Sequence, residues 1–576
     1  MRELSVANNP AVFPRMAGNW RPIIWLTAAG IAALVPAIIF GVPSNIDLSN
    51  HFRFALPFYE AIHQGNFYPG WLAESNYGYG DPSFRFYPPG LYYLLAIARI
   101  VSGNWYVATL SVITLLSVIG ALGVYFWARQ FLPSQVAIWA GIFYVLAPYH
   151  LNQLYQAFML AEFAGAAVLP FLLVFTERVC RRGRGVDIAG LAISIAALVF
   201  THLPLSVIAL LTLGFYALLR AERGRRLRAV IQLALAIALG LAASACYWAT
   251  MVAELYWIRV DHMKADPSVD FRRNFVFSTF SPENLNVWWM NILVFASVAM
   301  FWPCVVIFRR FSDHKSSVAG PRAAAIVAIF SFFMTSPLSR PVWTIVSPLQ
   351  RVQFPWRWLI VTSMASSLAL AAAIPLWWTT RRDRKRPLAL LVLGTVIVSV
   401  AFSGLHTVRE ANYLDAAQFE ATLRQIPGST SVSLWWPVWV NEPWKEMNNQ
   451  VEAGPRTLSI KSWSPEERTF KVGAGAAIEA RVRTFFYPHW VATAQGKRLE
   501  ARPAGDGALM ISIPANETVV NLEFREPPRV FGAALITAMG WIAIMSLAVS
   551  NLKRFRRRNS RPESSLCSEV RLQANL

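Results

Sequence analysis

The stretch RAERGRRLRAVIQLALAIALGLAASACYWATMVAELYW, residues 220–257, decides the class of fold. Its first nine residues include five arginines, and a long apolar run follows from Ala229. A helix that crosses a membrane needs about 20 apolar residues. Clusters of arginine and lysine between such runs lie on the cytoplasmic side under the positive-inside rule. The stretch therefore predicts a transmembrane helix that begins at the cytoplasmic face.

The composition of the whole chain also indicates a membrane protein. It has 576 residues, of which 55% are hydrophobic and only 15% charged, against about 25% charged in a typical soluble domain. The net charge of +21 could indicate nucleic-acid binding, but the basic residues form short clusters between apolar runs. We therefore predict a membrane protein in contact with lipid, with no nucleic-acid partner.

Apolar runs predict about 12 transmembrane spans, with both termini in the cytoplasm. The strong candidates are residues 22–41, 105–128, 229–257, 287–308, 357–378, 387–404 and 530–550, and the weaker ones are 136–149, 161–176, 186–201, 203–219 and 323–336. The run 89–101 is too short to cross and predicts a juxtamembrane or re-entrant helix. Sidedness follows from the basic clusters, namely 178–184, 220–228, 309–315, 381–386 and 553–558.

This assignment of spans divides the chain into five segments. Residues 1–21 form a cytoplasmic N-terminus, 22–404 a transmembrane domain with a first outward loop at 41–103, 405–528 an extracytoplasmic domain, 529–551 a final span and 552–576 a basic cytoplasmic tail. Within 405–528, the stretches 457–463, 468–474, 477–487, 508–515 and 518–524 alternate apolar and polar residues. We therefore expect an all-β, sandwich-like domain before the last span.

The first outward loop opens with Asp47 and His51, which share one face if the stretch is helical. A carboxylate at the bilayer edge beside an imidazole suits general-base chemistry on a hydroxyl. An interfacial anchoring helix would explain the same spacing.

Aromatic residues crowd the rest of this loop, and they include Tyr79 and Tyr87. They are typical of an interfacial belt, but they would also form a platform for a sugar or a lipid. Asp81 and Arg85 in the same run favour a binding site. The next outward stretch contributes His150 as a further candidate for the lining of a pocket.

Two polar residues interrupt predicted spans near their outward ends. Glu162 lies in FMLAEFAGA and His202 in FTHLPLS. A carboxylate at the centre of a membrane helix costs about 2.5–3.5 kcal/mol on insertion scales, so such residues are functional candidates. Packing residues satisfied by hydrogen bonds are the alternative for both.

The stretch SPLQRVQFPWRWL, residues 347–359, places Arg351 and Arg357 just outside a span. Cations on the predicted outward side are unexpected under the positive-inside rule, so we expect an anion to neutralise their charge. A lipid phosphate would fit the planar fork of arginine, and Gln353 and Trp356 would then line the same pocket. A salt bridge to Glu162, Asp47 or Glu254 is the alternative.

No motif in the sequence indicates a cofactor. There is no D-x-D pair, H-E-x-x-H, Walker loop or G-x-S-x-G elbow, and none of the four cysteines forms a C-x-x-C pair. We predict no cofactor; a divalent metal is possible but is supported by no motif.

The motifs together resemble a known family. The first loop, with Asp47, His51 and NYGYGDPSFRFYPP, looks like that of polytopic GT-C-type glycosyltransferases. APYHLNQLYQAFMLAEFAG, FTHLP, SPLSRPVW and VQFPWRW are similar, in the same order, to bacterial 6-pyruvoyl-tetrahydropterin synthase-related membrane proteins. Residues 485–515 resemble the terminal β domain of the related YfhO family.

The resemblance implies a multi-pass protein of the bacterial inner membrane with a GT-C-like fold. It implies transfer of a sugar from a polyprenyl-phosphate donor to a glycan or lipid acceptor outside the cytoplasm. An early acidic residue serves as the base in GT-C enzymes, and by position this role falls on Asp47, with His51 assisting. A flippase for polyprenyl-linked saccharides and a non-catalytic polysaccharide-assembly protein are the alternatives.

Overall fold

The computed structural model describes residues 20–259, 269–276, 293, 295–302, 304, 319–379, 386–426, 435–442 and 447–559. The described helices are α1 Arg21–Ala33, α2 Val35–Phe40, α3 Leu48–His63, α4 Ser75–Gly78, α5 Ser83–Phe86, α6 Gly90–Ser102, α7 Trp105–Ala128, α8 Ser134–Val145, α9 Pro148–Tyr155, α10 Leu160–Arg181, α11 Gly185–Thr201, α12 Leu203–Arg220, α13 Arg226–Ala243, α14 Ala245–Glu254, α15 Ala319–Thr335, α16 Arg340–Ile345, α17 Ser347–Gln350, α18 Leu359–Thr379, α19 Arg386–Arg409, α20 Ala416–Gln425 and α21 Pro528–Asn559. Short 3-10 turns lie at Arg223–Arg225, Leu255–Trp257, Phe271–Arg273, Pro337–Ser339 and Pro355–Trp358.

Within the described ranges, six helices are long and apolar enough to cross a membrane. They are Trp105–Ala128, Leu160–Arg181, Leu203–Arg220, Arg223–Ala243, Pro355–Ile374 and Pro528–Val549. The pair Ala319–Thr335 and Pro337–Ile345, bent by 85°, would add a seventh. The prediction of several apolar transmembrane helices is confirmed, whereas the total of about 12 stays a prediction.

Other predicted spans are shorter or broken. The candidate 22–41 is divided at Leu34 into α1 and α2, and Pro36 lies in the first turn of the second helix. The run 89–101 forms α6, a helix of 13 residues that ends at Gly103 with φ +68°. Most of the candidate 287–308, and the clusters 309–315 and 381–385, lie outside the described residues.

The described residues form three antiparallel sheets, a small one of β1 and β2 and two larger ones in the C-terminal part of the chain. The strands are β1 Val42–Pro43, β2 Tyr413–Leu414, β3 Val451–Glu452, β4 Leu458–Trp463, β5 Glu467–Val472, β6 Ile478–Phe485, β7 Trp490–Ala494, β8 Lys497–Arg498, β9 Ala501–Pro503, β10 Ala508–Ile513 and β11 Thr518–Phe524. Their order is β3-β6-β10-β9 in one of the larger sheets and β4-β5-β11-β7-β8 in the other. Both sheets contribute to one buried hydrophobic cluster, because their strands alternate buried and exposed residues. The predicted β region before the last helix is confirmed; the sandwich-like arrangement and the domain boundaries stay predictions.

The first outward loop contacts this β region directly. Trp71 and Tyr79 of the loop belong to the hydrophobic cluster of the two sheets. The backbone N–H of Phe485 donates to the carbonyl of Tyr79 at 2.8 Å. The two-stranded pairing of β1 with β2 also ties the start of the loop to the segment after α19. The loop is therefore held at its start and near its middle.

Candidate functional site

Asp47 is positioned by the pairing of β1 with β2. Gly41 has a φ of +117°, and a Cβ there would lie 2.0 Å from the carbonyl oxygen of Leu414, so only glycine permits this approach. Beyond the pairing, the N–H of Asp47 donates to the carbonyl of Ala157 at 3.1 Å. Asp47 thus stands at the N-cap of α3, next to the turn before α10.

The carboxylate of Asp47 does not cap its own helix, although aspartate at an N-cap usually accepts a backbone N–H. It accepts instead from the side-chain amide of Asn50 at 3.3 Å. Burial raises the pKa of the Asp47 carboxyl, against smaller lowering effects of the Asn50 hydrogen bond and the Arg357 charge. Asp47 is therefore a carboxylate within the field of Arg357 and without a capping function.

His51 is bound at both ring nitrogens. The N–H of Leu160 donates to Nε2 at 3.1 Å, so the neutral ring carries its proton on Nδ1, which lies 3.1 Å from the hydroxyl of Tyr92. Burial lowers the pKa of His51 to about 3, and the ring is neutral at physiological pH. These contacts suit a residue that orients its neighbours more than one that transfers protons.

Glu162, in the first turn of α10, and Arg357, in the 3-10 turn just before α18, form an ion pair. The Arg357 Nε lies 2.7 Å from the Glu162 Oε2, and both side chains are almost fully buried. Tyr149 and Gln153 each donate to the Glu162 Oε1 at 2.9 Å. Of the three anions considered for Arg357, Glu162 is the direct partner, which explains how this cation is tolerated.

The backbone before Arg357 bends sharply. Gln353 has a φ of +68°, and the Arg357 Nη1 donates to the carbonyl of Val352 at 2.7 Å. The rings of Phe354 and Trp356 are stacked at 4.8 Å, and the guanidinium of Arg357 lies 4.8 Å from the Phe354 ring. The bend leaves the Nη2 of Arg357 without a hydrogen bond to any described residue.

Arg351 lies apart from this ion pair. It is exposed at the end of α17. Its guanidinium makes no hydrogen bond or ion pair with the part of the chain that the structure describes. Arg351 is therefore a free surface cation close in sequence to Arg357.

His202 and Tyr87 complete the surroundings of Arg357. His202 caps α12, and its Nδ1 accepts the N–H of Leu205 at 3.2 Å, which leaves the proton of the neutral ring on Nε2. The His202 ring is buried and lies in the field of the Arg357 charge. Tyr87 stacks on Phe54 at 4.8 Å and lies in the fields of Asp47, Arg357 and Glu162.

The structure thus brings six of the predicted residues into one region, which we call the central cluster: Asp47, His51, Tyr87, Glu162, His202 and Arg357. His150 lies nearby on α9, between the rings of Tyr144 and Phe163 at 4.6 Å each. Both of its ring nitrogens are buried without a hydrogen bond within the described residues.

Tyr79 and Asp81 have other surroundings. Tyr79 is buried against the β region, with its ring stacked on Phe485 at 5.0 Å. Asp81 accepts the N–H of Ser83 at 2.8 Å and pairs with Leu72 in a β-bridge. Both residues shape the loop at the β region and are not among the neighbours of Arg357.

Arg85 belongs to a second polar group, which we call the interdomain cluster: Arg85, Glu254, Tyr487, His489, Glu526 and Arg529. Two nitrogens of Arg85 contact the Glu254 carboxylate at 2.5 and 2.7 Å, and a third contacts the Glu526 Oε1 at 2.6 Å. The Tyr487 hydroxyl donates to Glu254 at 2.8 Å. The cluster joins the first loop, the end of α14, the β region and the start of α21.

The cluster also includes His489 and Arg529. The His489 Nε2 lies 3.3 Å from the Glu254 Oε1, and Arg529 donates to the same oxygen at 3.0 Å. Burial acts to raise the pKa of Glu526, but hydrogen bonds and charges of His489 and Arg85 outweigh it and lower that pKa. Two carboxylates here face two arginines, so the cluster is balanced in charge.

Several site residues were missed at the level of sequence. Tyr487, His489 and Glu526 were not singled out, because their partners are distant along the chain. Tyr149 and Gln153 stand within a quoted motif but were not singled out for the site, and neither were Asn50 and Tyr92 of the first loop. The signal that could have found Tyr149 and Gln153 is the i, i+4 spacing on α9, which places both on one face.

Across the described ranges, no group of three or more His, Cys, Asp or Glu side chains could hold a metal ion. The carboxylates of the central cluster, Asp47 and Glu162, have asparagine, arginine, tyrosine and glutamine as direct partners. These side chains therefore offer a carboxylate that can accept a proton and an arginine that can bind an anion.

A bundle of apolar helices with a buried polar cluster, beside a β region, is typical of a multi-pass membrane protein. The chain belongs to the family described as 6-pyruvoyl-tetrahydropterin synthase related domain, membrane protein, whose model matches residues 84–413. The predicted family and the membrane location are thereby confirmed. No curated protein matches the chain.

The chain also matches solved structures, and three of them are the following. The oligosaccharyltransferase AglB from Archaeoglobus fulgidus, solved with an inhibitory peptide and a dolichol-phosphate, has 13% identity, a TM-score of 0.45 and coverage of 68% of this chain and 56% of its own. ArnT from Cupriavidus metallidurans, bound to undecaprenyl phosphate, has 14% identity, a TM-score of 0.40 and coverage of 70% and 75%. The arabinosyltransferase EmbB from Mycobacterium smegmatis has 13% identity, a TM-score of 0.41 and coverage of 90% and 64%. This chain thus spans less than two thirds of the AglB and EmbB chains.

Proposed function

We propose that this protein is a membrane glycosyltransferase. It would move a sugar from a polyprenyl-phosphate-linked donor to a glycan or lipid acceptor of the cell envelope, on the periplasmic face. The observation that carries the proposal is the Asp47 carboxylate, which caps no helix and lies in the field of Arg357. The family resemblance assigns the base to the same residue.

In the proposed reaction, Asp47 takes the proton of the acceptor hydroxyl as its oxygen attacks the anomeric carbon of the donor sugar. The bond between that carbon and the phosphate oxygen breaks, and polyprenyl phosphate leaves with the electron pair. Attack from the opposite face inverts the anomeric centre. The raised pKa of Asp47 supports this role, because a more basic carboxylate accepts a proton more readily.

Arg357 would stabilise the leaving phosphate. Its Nε is engaged by Glu162, but its Nη2 has no hydrogen bond among the described residues, so it can donate to an oxyanion. The Nε2–H of His202 offers a second donor. Arg351, an exposed cation on the same segment, would attract the donor headgroup before it reaches Arg357.

The test is complementation of a deletion strain with wild type, Asp47→Asn and the matched control Glu60→Gln, which alters an exposed carboxylate on the same helix. Mass spectrometry of surface glycans and polyprenyl-linked intermediates gives the readout. We expect Asp47→Asn to reduce the product by about 10²–10⁴-fold, the usual contribution of a general base, at unchanged protein level, while Glu60→Gln restores it.

Other outcomes separate the alternatives. Full product from Asp47→Asn would mean that Asp47 is not the base. A deletion strain that accumulates the lipid-linked sugar on the cytoplasmic leaflet would indicate a flippase. Purified protein that neither binds nor consumes a labelled polyprenyl-phosphate sugar would leave the assembly-protein alternative.

A further inference from the structure

A shallow cleft lies between the end of α10 and the start of α13, away from the central cluster. Its lining residues are Val179, Cys180, Arg181, Arg182, Arg225, Arg228, Ala229 and Gln232. The positive-inside rule assigns this end of the bundle to the cytoplasm. The cleft therefore opens at the membrane surface opposite to the proposed catalytic face.

Specific contacts hold the walls of the cleft together. The Gln232 side-chain amide donates to the carbonyl of Gly183 at 2.9 Å, and Gly183 has a φ of +58°. A Cβ at Gly183 would lie 2.0 Å from the Gln232 side chain, so the turn fits closely against α13. The Arg225 Nη1 donates to the carbonyl of Arg181 at 2.9 Å. The spacing between the two walls is thus set by the fold.

Four of the lining residues are arginines and none is acidic. Glu177 is occupied by Arg220 at 2.7 Å and by the hydroxyl of Tyr216 at 2.9 Å. The side chains of Arg181 and Arg228 make no hydrogen bond or ion pair with any residue the structure describes. We therefore expect these arginines to bind an anion.

The wall formed by α13 continues as an apolar surface. Leu227, Ile231 and Leu235 follow at intervals of four residues and so share one side of the helix. All three are exposed, Leu227 by 75%. A ligand seated in the cleft would therefore have its charged end among arginines and its apolar body along this surface, as a phospholipid does.

We propose that this cleft binds the headgroup of an anionic phospholipid, with an acyl chain along Leu227, Ile231 and Leu235. A soluble phosphate would find the same arginines, but it would make no use of the apolar surface. The site is independent of the proposed transferase activity. Its occupancy would stabilise the contact between α10 and α13.

The experiment uses the full-length protein in detergent, titrated with phosphatidylglycerol, with phosphatidylcholine or with inorganic phosphate. Thermal unfolding and native mass spectrometry report binding. The variant is Arg181→Gln/Arg228→Gln, and the matched control is Arg223→Gln/Arg226→Gln, which removes the same charge from exposed arginines outside the lining.

We expect phosphatidylglycerol to remain bound to wild type and control and to raise their melting temperature, with phosphatidylcholine much less effective. Because each basic residue near an anionic lipid contributes on the order of 1 kcal/mol, the cleft variant should bind about 10- to 30-fold more weakly. Equal binding by the two double variants would overturn the proposal. Stabilisation by inorganic phosphate as strong as that by phosphatidylglycerol would overturn the lipid assignment.

Discussion

Asp47 and its partner Asn50 show how one hydrogen bond can adjust a carboxylate. Burial removes water from the carboxylate and raises its pKa, while the amide of Asn50 donates to the charged form and lowers it. The pKa of Asp47 is thus the result of two opposed effects, with burial the larger. Asn50 is itself fixed by Arg53, which donates to its carbonyl oxygen at 3.1 Å.

Asn50→Ala should move the acidic limb of the pH profile of kcat/KM to higher pH. The amide lowers the pKa of Asp47, so its removal raises that pKa, and the base form is reached only at higher pH. A hydrogen bond of about 1 kcal/mol corresponds to a shift of roughly half to one pH unit. The measurement is transfer of labelled sugar between pH 4 and 8 by purified protein.

The control for this shift is Arg53→Gln, which removes the other partner of Asn50 but keeps the amide that faces Asp47. Its acidic limb should stay near that of wild type. An Asn50→Ala limb that moves to lower pH, or no limb at all in wild type, would contradict the role of Asp47 as the base.

At the scale of single residues, the sequence identified candidate site residues better than it identified the side chains that those residues contact. Glu162 and Arg357 stood out because charged side chains near a membrane are costly, and the structure brings them into contact. Arg85 and Tyr79 stood in an equally suggestive loop, but their partners lie hundreds of positions later. No local pattern encodes such a contact, because it depends on how the β region packs on the loop.

The elements were predicted best where they are long. The spans 105–128, 161–176 and 203–219 correspond closely to α7, α10 and α12, because long apolar runs have few other stable arrangements in a membrane. The strands β7, β8 and β9 were missed, since short strands carry too few alternating positions for a pattern.

A glycine in the first loop sets the distance between two elements. A Cβ at Gly70 would lie 2.4 Å from the Glu526 Oε1 and 2.8 Å from the Arg85 Nη1. Gly70 therefore leaves room for the ion pair that joins the loop to the segment before α21. A larger side chain would separate the pair, and the loop would lose a contact with the β region.

Gly70→Ala should loosen the interdomain cluster. Forcing a methyl group into a filled site usually costs about 1–3 kcal/mol, so we expect a lower melting temperature and faster hydrogen exchange in Trp490–Ala494 and in the first loop. Gly505→Ala is the matched control, because a Cβ there meets nothing within 4 Å. Equal exchange rates in the two variants would refute the role of Gly70.

At the scale of the whole molecule, the interdomain cluster couples the β region to the membrane helices. It is buried around Glu254 and rich in charge, so its strength depends on whether the carboxylates stay ionised. The pKa of Glu526 is lowered in the folded protein. Its stabilising contribution is therefore fully present above the ordinary pKa of glutamate and is lost as the pH falls through the lowered value.

The contact between the β region and the membrane helices should therefore keep its strength from neutral to mildly acidic pH and weaken only in stronger acid. Glu526→Gln should lower the melting temperature at neutral pH and reduce the loss of stability in acid. Glu523→Gln, which alters an exposed carboxylate nearby, should behave as wild type. Melting curves between pH 3 and 8 check this; an unchanged acid response in Glu526→Gln would be contrary evidence.

Arg85 and Glu526 are separated by 441 positions along the chain. A ribosome makes Arg85 early and Glu526 close to the end of the described chain, so the first loop must wait for the segment before α21 to be made. Until then Arg85, which is buried in the folded protein, has only some of its ion-pair partners. A cation that is incompletely paired is more stable in water than in a buried site. The order of synthesis therefore makes completion of the first loop a late event, and a prematurely terminated chain would expose an unfinished first loop to quality-control proteases.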